Sequence, residues 1–405
     1  MSRIYKNWIE AYIEYNENTE SAPIFHKWAA LSIIAASLRR KVHFNFGRIK
    51  IYPNLYIILI AEPGVARKTQ AINFAEEIVD GVFGIHLSAD CTTPQALLED
   101  IEKAAEDATM NDGSTLRHSS LTIFSGEFES FLGQKKENSK MIITLTDLFD
   151  CKARPFKYRT KHSGSNVIPL PFLNLYAATT PESLSNCFPS IAIGGGLSSR
   201  IVFIHADGKG KKVAVPEFTS ERATMQEKLM KDISIIARIS GGYNYSPEGR
   251  EWWEKFYEKY EERDPQRLCR DPSFVGWYSR KPTLLLKVAT NVAAAKHSTM
   301  YLEPEDFEEA KAMIEEIEPV MGKAFNAVGR SDITTDVDMI RRILEQHKSI
   351  SEKQLRRMVW RDIDDKKFPY VIDTIVKGGD AGRNYTSPNG KKEIWYHWKN
   401  QQTGW

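Results

Sequence analysis

The chain has 405 residues, 42% of them hydrophobic and 27% charged, with 55 Lys and Arg against 53 Asp and Glu. That length predicts two or three domains rather than one core. A formal net charge of +2 excludes nucleic-acid binding through overall basicity, so any basic surface must be local. Cys91, Cys151, Cys187 and Cys269 stand far apart with no Cys-x-x-Cys pair, which argues against a zinc site or a disulfide framework and for a reducing cytoplasm.

The opening "MSRIYKNWIEAYIEY" mixes charges and aromatics at helical spacing and does not read as a secretory leader. The most apolar runs, around Trp28–Leu38 and Leu55–Ile60, fall short of a membrane span. Residues 1–45 are predicted as a helical region of two helices broken near Ser21-Ala22-Pro23. Ile4, Trp8, Ala11, Tyr12 and Tyr15 share one face of the first.

Residues 46–212 are predicted as an α/β core with a parallel sheet. "VHFNFGRIKIYPNLYIILIA" alternates and then turns continuously apolar, as a hairpin feeding a buried strand does. Strands are expected near Gly84–Leu87, at Ser120–Ser125, Phe172–Ala178 and Ser199–His205. Helices are expected over Gln70–Val79, after Thr93-Pro94, and around Lys140–Leu148. Residues 213–330 read as a helical lid. Residues 331–405 read as three short helices and a hairpin around Pro388-Asn389-Gly390, the plan of a winged helix.

The chemistry concentrates after the first apolar strand. "NLYIILIAEPGVARKTQ" has the outline of a phosphate-binding loop, in which backbone N–H groups and a lysine surround phosphates and a hydroxyl meets Mg²⁺. Glu62 and Arg67 stand where the pattern has glycines, while Pro63-Gly64 still make a turn. The expected nucleotide contacts are Gly64, Val65, Ala66, Arg67, Lys68, Thr69 and Gln70, with Thr69 reaching the metal. "SLTIFSGEFESFLG" is an apolar strand ending in Glu127, placed to polarise water. Gly126 occupies the preceding position, where an aspartate is usual, and Glu129 is a candidate substitute. "FLNLYAATTPESL" ends a second strand in Thr179 and Thr180, either of which suits a γ-phosphate sensor or a helix cap. Arg200 precedes a third strand, as a structural group or as an arginine acting on a neighbouring subunit's nucleotide.

In their order, "APIFHKW", "IYPNLYIILIAEPGVARKT", "LTIFSGEFESFLG", "LTDLFDCK", "LNLYAATTPESL" and "IGGGLSSRIVFI" resemble the ATPase core of phage- and plasmid-encoded primase/helicase-type proteins, relatives of AAA+ and superfamily 3 helicases. The resemblance spans about residues 20–206. It implies an AAA+-like ATPase core with a helical lid, using ATP and Mg²⁺, in a homo-oligomeric, hexameric ring that moves on DNA in the cytoplasm of a bacterial host. Other replication proteins are possible partners. It also implies that an arginine before the loop lysine, here Arg67, is ordinary, and that Arg280, near the start of a lid helix, reaches phosphate. The missing aspartate at Gly126 departs from the wider pattern.

Two stretches are candidates for DNA. In "CKARPFKYRTKHSGSN", Lys152, Arg154, Lys157, Arg159, Lys161 and His162 alternate with Phe156 and Tyr158. A basic hairpin with interleaved aromatics suits a single strand in a pore, or else a solvated surface. In the tail, Lys366, Lys367, Arg383, Lys391 and Lys392 suit duplex contacts by a recognition helix and a wing, though such modules also dock proteins. Two other functions remain open. One is a nucleotide-gated origin-binding or helicase-loading protein with slow or absent hydrolysis; the other is a DNA-binding regulator with a degenerate nucleotide site.

Overall fold

The computed structural model describes residues 2–88, 93–133, 138–160, 164–188, 196–262, 268–269, 274–324, 332–386 and 393–399. They fall into two compact units, Met1–Val328 and Gly329–Trp405. The regions expected at 1–45, 46–212 and 213–330 therefore belong to one unit and share one continuous hydrophobic core. Among the described residues no helix is long and apolar enough to cross a membrane.

The first unit opens with α1 (Trp8–Tyr15) and α2 (Pro23–Leu38). Asn7 caps α1 by accepting from the Ile9 and Glu10 N–H groups, and Pro23 starts α2. Thirteen of the 16 residues of α2 are buried, so this helix runs through the core rather than over it. β1 (Val42–Phe46) and β2 (Ile49–Ile51) make the expected hairpin.

β3 (Tyr56–Ile60), buried at every position, leads into α3 (Lys68–Val79). Next come α4 (Pro94–Lys103), β4 (Ala105–Thr109), β5 (Thr115–Ser125), α5 (Phe128–Leu132) and α6 (Ser139–Phe149). The hairpin β6 (Phe156–Thr160) and β7 (Gly164–Ile168) precedes β8 (Pro171–Thr179), α7 (Pro181–Cys187) and β9 (Ile201–His205). The sheet order is β4-β5-β8-β3-β9, with the last four parallel and β4 antiparallel at the edge. Buried strands such as β3 and β8 need helices on both faces, which α2, α3 and α6 help supply.

Two expectations change here. No strand forms over Gly84–Leu87; Leu87 alone bridges Thr122. Gly84 lies at φ +82°, and the Arg39 guanidinium fills the space where a Cβ would stand. Conversely β4, "AEDAT", is an unforeseen strand without an apolar pattern. It is held by pairing with β5 across a turn and by the Asp107–Arg117 ion pair at 2.9 Å.

The remainder of this unit is not purely helical. α8 (Ser220–Ile236), β10 (Gly241–Tyr245), α9 (Pro247–Glu262), α10 (Val275–Tyr278), α11 (Lys281–Lys296), β11 (Tyr301–Leu302) and α12 (Pro304–Ala324) follow in order. β10 pairs in parallel with β1 and with β11, giving a second sheet, β11-β10-β1-β2. "GGYNY" was hidden by its glycines, and its pairing ties the lid region to the chain's start. Along buried α11, the Lys287 amine donates to Tyr52 O at 2.7 Å and to Asn54 Oδ1 at 2.6 Å, holding the entry to β3.

The second unit comprises α13 (Asp332–His347), β12 (Ser349–Ser351), α14 (Glu352–Val359), α15 (Phe368–Lys377), β13 (Ala381–Thr386) and β14 (Glu393–Trp398). A Ser351–Gln354 capping box starts α14. Ile340, Leu344, Leu355, Val371, Ile372 and Tyr396 form its own core. The hairpin strands gain a third, β12, in the order β12-β14-β13; the expected turn at Pro388-Asn389-Gly390 lies outside the described residues.

Candidate nucleotide site at the carboxyl edge of the sheet

In a parallel sheet every strand delivers its last residue to the same edge, and ligands bind beyond it. Ile60 of β3 is level with Thr179 of β8 and His205 of β9, while Ser125 of β5 is level with Ala177. β8 lies between β3 and β5, so Thr179-Thr180 stand between the phosphate-type loop and Glu127.

The loop from Ala61 to Arg67 is shaped from two sides. Gly64 at φ +71° and the Val65 N–H to Glu62 O bond at 3.2 Å make the turn. Arg67 sits in the left-handed region at φ 53°, a cost the surroundings must offset. Ser21 Oγ donates to Arg67 O at 3.0 Å, and the Ala22 N–H donates to Ala66 O at 3.3 Å. The Arg67 side chain turns to Glu20 at 2.9 Å, which also pairs with Lys209 at 2.7 Å. The helix that follows has no side-chain cap, which leaves its first N–H groups for an incoming anion.

Lys68 Nζ donates to Ala61 O at 2.6 Å and to Glu62 O at 3.3 Å, so the amine lies across the loop. Burial lowers its pKa, and the carboxylates of Glu127 and Glu62 oppose that shift. Glu127 is exposed directly after β5. Gly126 faces Thr69: a Cβ there would lie 3.2 Å from Thr69 Cγ2 and 4.0 Å from its hydroxyl oxygen. The absent aspartate thus belongs to a position that does look onto the loop threonine.

Thr180 caps α7, its hydroxyl accepting from the Ser183 N–H at 3.0 Å; the hydroxyl proton remains a donor. Thr179 is buried, with its hydroxyl 3.4 Å from Thr180 O. His205 was missed in the sequence. It ends β9 at this edge, 3.6 Å from Asp207, and burial lowers its pKa while Asp207 opposes the change. Its place as the last residue of a predicted strand was the available signal.

Arg200 and Arg280 lie elsewhere. Arg200 precedes β9, whose first residue is level with Tyr56, the first residue of β3. A five-residue strand, roughly 16 Å, therefore separates Arg200 from the loop. It pairs with Asp150 at 2.7 Å, and its side chain is only 9% exposed. Arg280 stands at the start of α11, 3.8 Å from the same carboxylate. Arg280, expected to reach phosphate, thus lies beside Arg200 at the amino edge, where α11 begins.

The basic hairpin leaves after α6 and returns into β8, so its stem also lies at the amino edge. Lys157 and Arg159 are exposed, as strand alternation requires of residues on one face. Phe156 and Tyr158 take the other face and pack on the core. Tyr158 OH donates to Glu102 at 2.8 Å and accepts from Asn166 at 3.0 Å. The hydroxyl of Tyr158 thus anchors the hairpin to α4. Lys152 pairs with Asp147 at 3.1 Å, and Arg154 is exposed. Lys161 and His162 lie outside the described residues.

In the second unit Lys366 and Lys367 are exposed before α15. The neighbouring acids serve the fold: Asp364 accepts from the Lys366 N–H at 2.8 Å, and Asp365 pairs with Arg356. Arg383 pairs with Asp373 and lies 5.5 Å from the Tyr396 ring centre, so it is engaged within the unit. Lys391 and Lys392 lie outside the described residues.

In comparisons with known proteins, no family model matches the chain and no curated protein matches it.

Proposed function

We propose that this protein is an ATPase whose turnover is coupled to single-stranded DNA, acting as a ring-forming motor of the helicase type. The observation that carries the reading is the convergence at the carboxyl edge: Lys68, Thr69, Glu127 and Thr180 come from three strand ends to the mouth of one uncapped helix. The strand carrying Thr180 lies between those carrying the loop and Glu127, which supports the resemblance to AAA+-type cores.

The substrate is ATP with its Mg²⁺. Among the described residues no group of three acidic, His or Cys side chains forms a metal cage. Mg²⁺ is commonly held by substrate phosphates with one or two protein oxygens, and Thr69 with Glu127 beside it fits that habit. Bound there, the ion would spread the charge developing on the phosphates. The α3 N–H groups would receive phosphate oxygens, and Lys68 would exchange the Ala61 carbonyl for phosphate. Glu127, exposed and without fixed partners among the described residues, would orient water. Arg200 would act on a neighbour's nucleotide once released from Asp150, and Lys157 and Arg159 would grip the strand.

Gly126 favours one second reading, a loading or assembly switch that binds ATP and turns over slowly. Steady-state hydrolysis with and without single-stranded DNA separates them, using wild type, Lys68→Ala and Glu127→Gln. DNA-stimulated turnover lost in both variants supports the motor. ATP binding without turnover in the wild type overturns it in favour of the switch.

A further inference from the structure

A second pocket lies at the amino edge, about 320 Å³ in volume and lined by Lys50, Tyr52, Phe149, Asp150, Arg200 and Arg280, with Trp277 also on its wall. Its charge is unbalanced. Arg200 and Arg280 share the single carboxylate of Asp150, at 2.7 and 3.8 Å, and Lys50 adds a third cation. The Lys287 amine on the same wall is already satisfied by Tyr52 O and Asn54. Arg200, nine-tenths buried, keeps its Nε without a hydrogen-bond partner. Burial and then the nearby Arg200 charge push the Arg280 pKa down, and Asp150 opposes them.

We propose that this pocket is a phosphate-binding site distinct from the phosphate loop, in which Arg200 and Arg280 together take a phosphate group of a nucleotide. A phosphate offers more oxygens than a carboxylate to two guanidinium forks. The volume lies within the range of small-ligand pockets, and aromatic walls with few convergent polar groups are their usual lining. Asp150 holds the arginines in place and yields when a phosphate enters. The phosphate can come from a free nucleotide or from one held by a second copy of this chain.

The test uses the full chain carrying Lys68→Ala, which removes the loop's contribution and so separates this site from the proposed motor. Equilibrium binding of ATP and of tripolyphosphate is measured by titration calorimetry, with melting curves as the folding control. The expected result is one saturable site per chain, with ATP and tripolyphosphate bound alike. Arg280→Gln should weaken it at least about tenfold, and Asp150→Asn should tighten it. That result assigns a free nucleotide. If Lys68→Ala binds nothing alone, it is mixed with loop-intact chains. An increase in their turnover that Arg280→Gln abolishes assigns the phosphate to a neighbouring copy. Absence of any Arg280 dependence in both arms overturns the proposal.

Discussion

The two edges of the five-stranded sheet are built on opposite plans. At the carboxyl edge Glu62, Glu127 and Lys68 stand at an open loop, beside the Arg67–Glu20–Lys209 and Asp207–Lys323 ion pairs. At the amino edge cations are drawn inside. Arg40 donates to Pro171 O at 2.7 Å and Lys152 O at 2.8 Å; Lys41 donates to Ala237 O at the end of α8; Arg39 donates to Gly84 O at 2.8 Å. Arg39, Arg40 and Lys41 are all buried. Helix and loop carbonyls are natural partners for such cations. Arg39, Arg40 and Lys41 at the amino edge serve the fold, whereas Lys68 and Glu127 at the carboxyl edge stand open to a ligand. Mutations at the two edges should therefore fail in different assays.

The sharpest contrast comes from two lysines. Lys68→Ala should lower ATP turnover about 10²–10³-fold while shifting the unfolding free energy by less than about 0.5 kcal/mol. Lys287→Met should cost about 2–4 kcal/mol in denaturant unfolding, because it strands buried carbonyls, yet leave turnover per folded molecule within about twofold. Equal losses of turnover in both would break the comparison.

Acid should next attack two buried histidines, His118 at the amino edge and His26 near the start of α2. Burial lowers the His118 pKa to about 3, with Arg39, Lys41 and Arg40 adding to the shift, and burial lowers that of His26 to about 4. Between those values and the ordinary 6.5 the unfolded chain binds protons that the native chain refuses. Stability is therefore complete above pH about 6.5 and falls as pH drops towards 4, by on the order of 1–3 kcal/mol for each histidine. Unfolding curves of His118→Asn and wild type across pH 4–7 check this, the variant having the shallower slope.

A smaller effect tests the open position. Gly126→Asp sets a carboxylate against Thr69 and should lower the Mg²⁺ concentration for half-maximal turnover about three- to tenfold. A rise instead would mean that the 3.2 Å approach to the threonine methyl displaces the loop. Smallest is the hairpin. Removing Lys157 or Arg159 should reduce the salt slope of single-strand binding by about 0.7 each, whereas Tyr158→Phe should leave it unchanged. A loss of affinity in Tyr158→Ala that Tyr158→Phe does not share would instead point to stacking by the ring.

Much of the carboxyl edge was legible because strand ends announce themselves: an apolar run stops at Ile60, at Ser125 and at Thr179, and polar residues follow. The amino edge was not. Arg280 was assigned from its position before an apolar helix, which says nothing about the edge where that helix begins. The faces of Tyr158 and Lys157 followed from alternation, but which face met the core depended on Glu102, more than fifty residues earlier. β10 and β4 escaped because Gly241-Gly242 and Glu106-Asp107 carry no strand propensity; their pairing comes entirely from partners.

The parallel pairing of β1 with β10 sets Val42 beside Gly241, and β10 in turn meets β11 at Tyr301. At ribosomal speeds the intervening chain takes roughly 10–40 s to appear. Throughout that interval β1 presents a free edge, and the face of α2 that packs on α8 and α11 has no cover. A nascent chain halted near residue 212, at the apparent end of the ATPase region, would be an incomplete and adhesive object. Its synthesis calls for chaperone protection until the last third of this unit arrives.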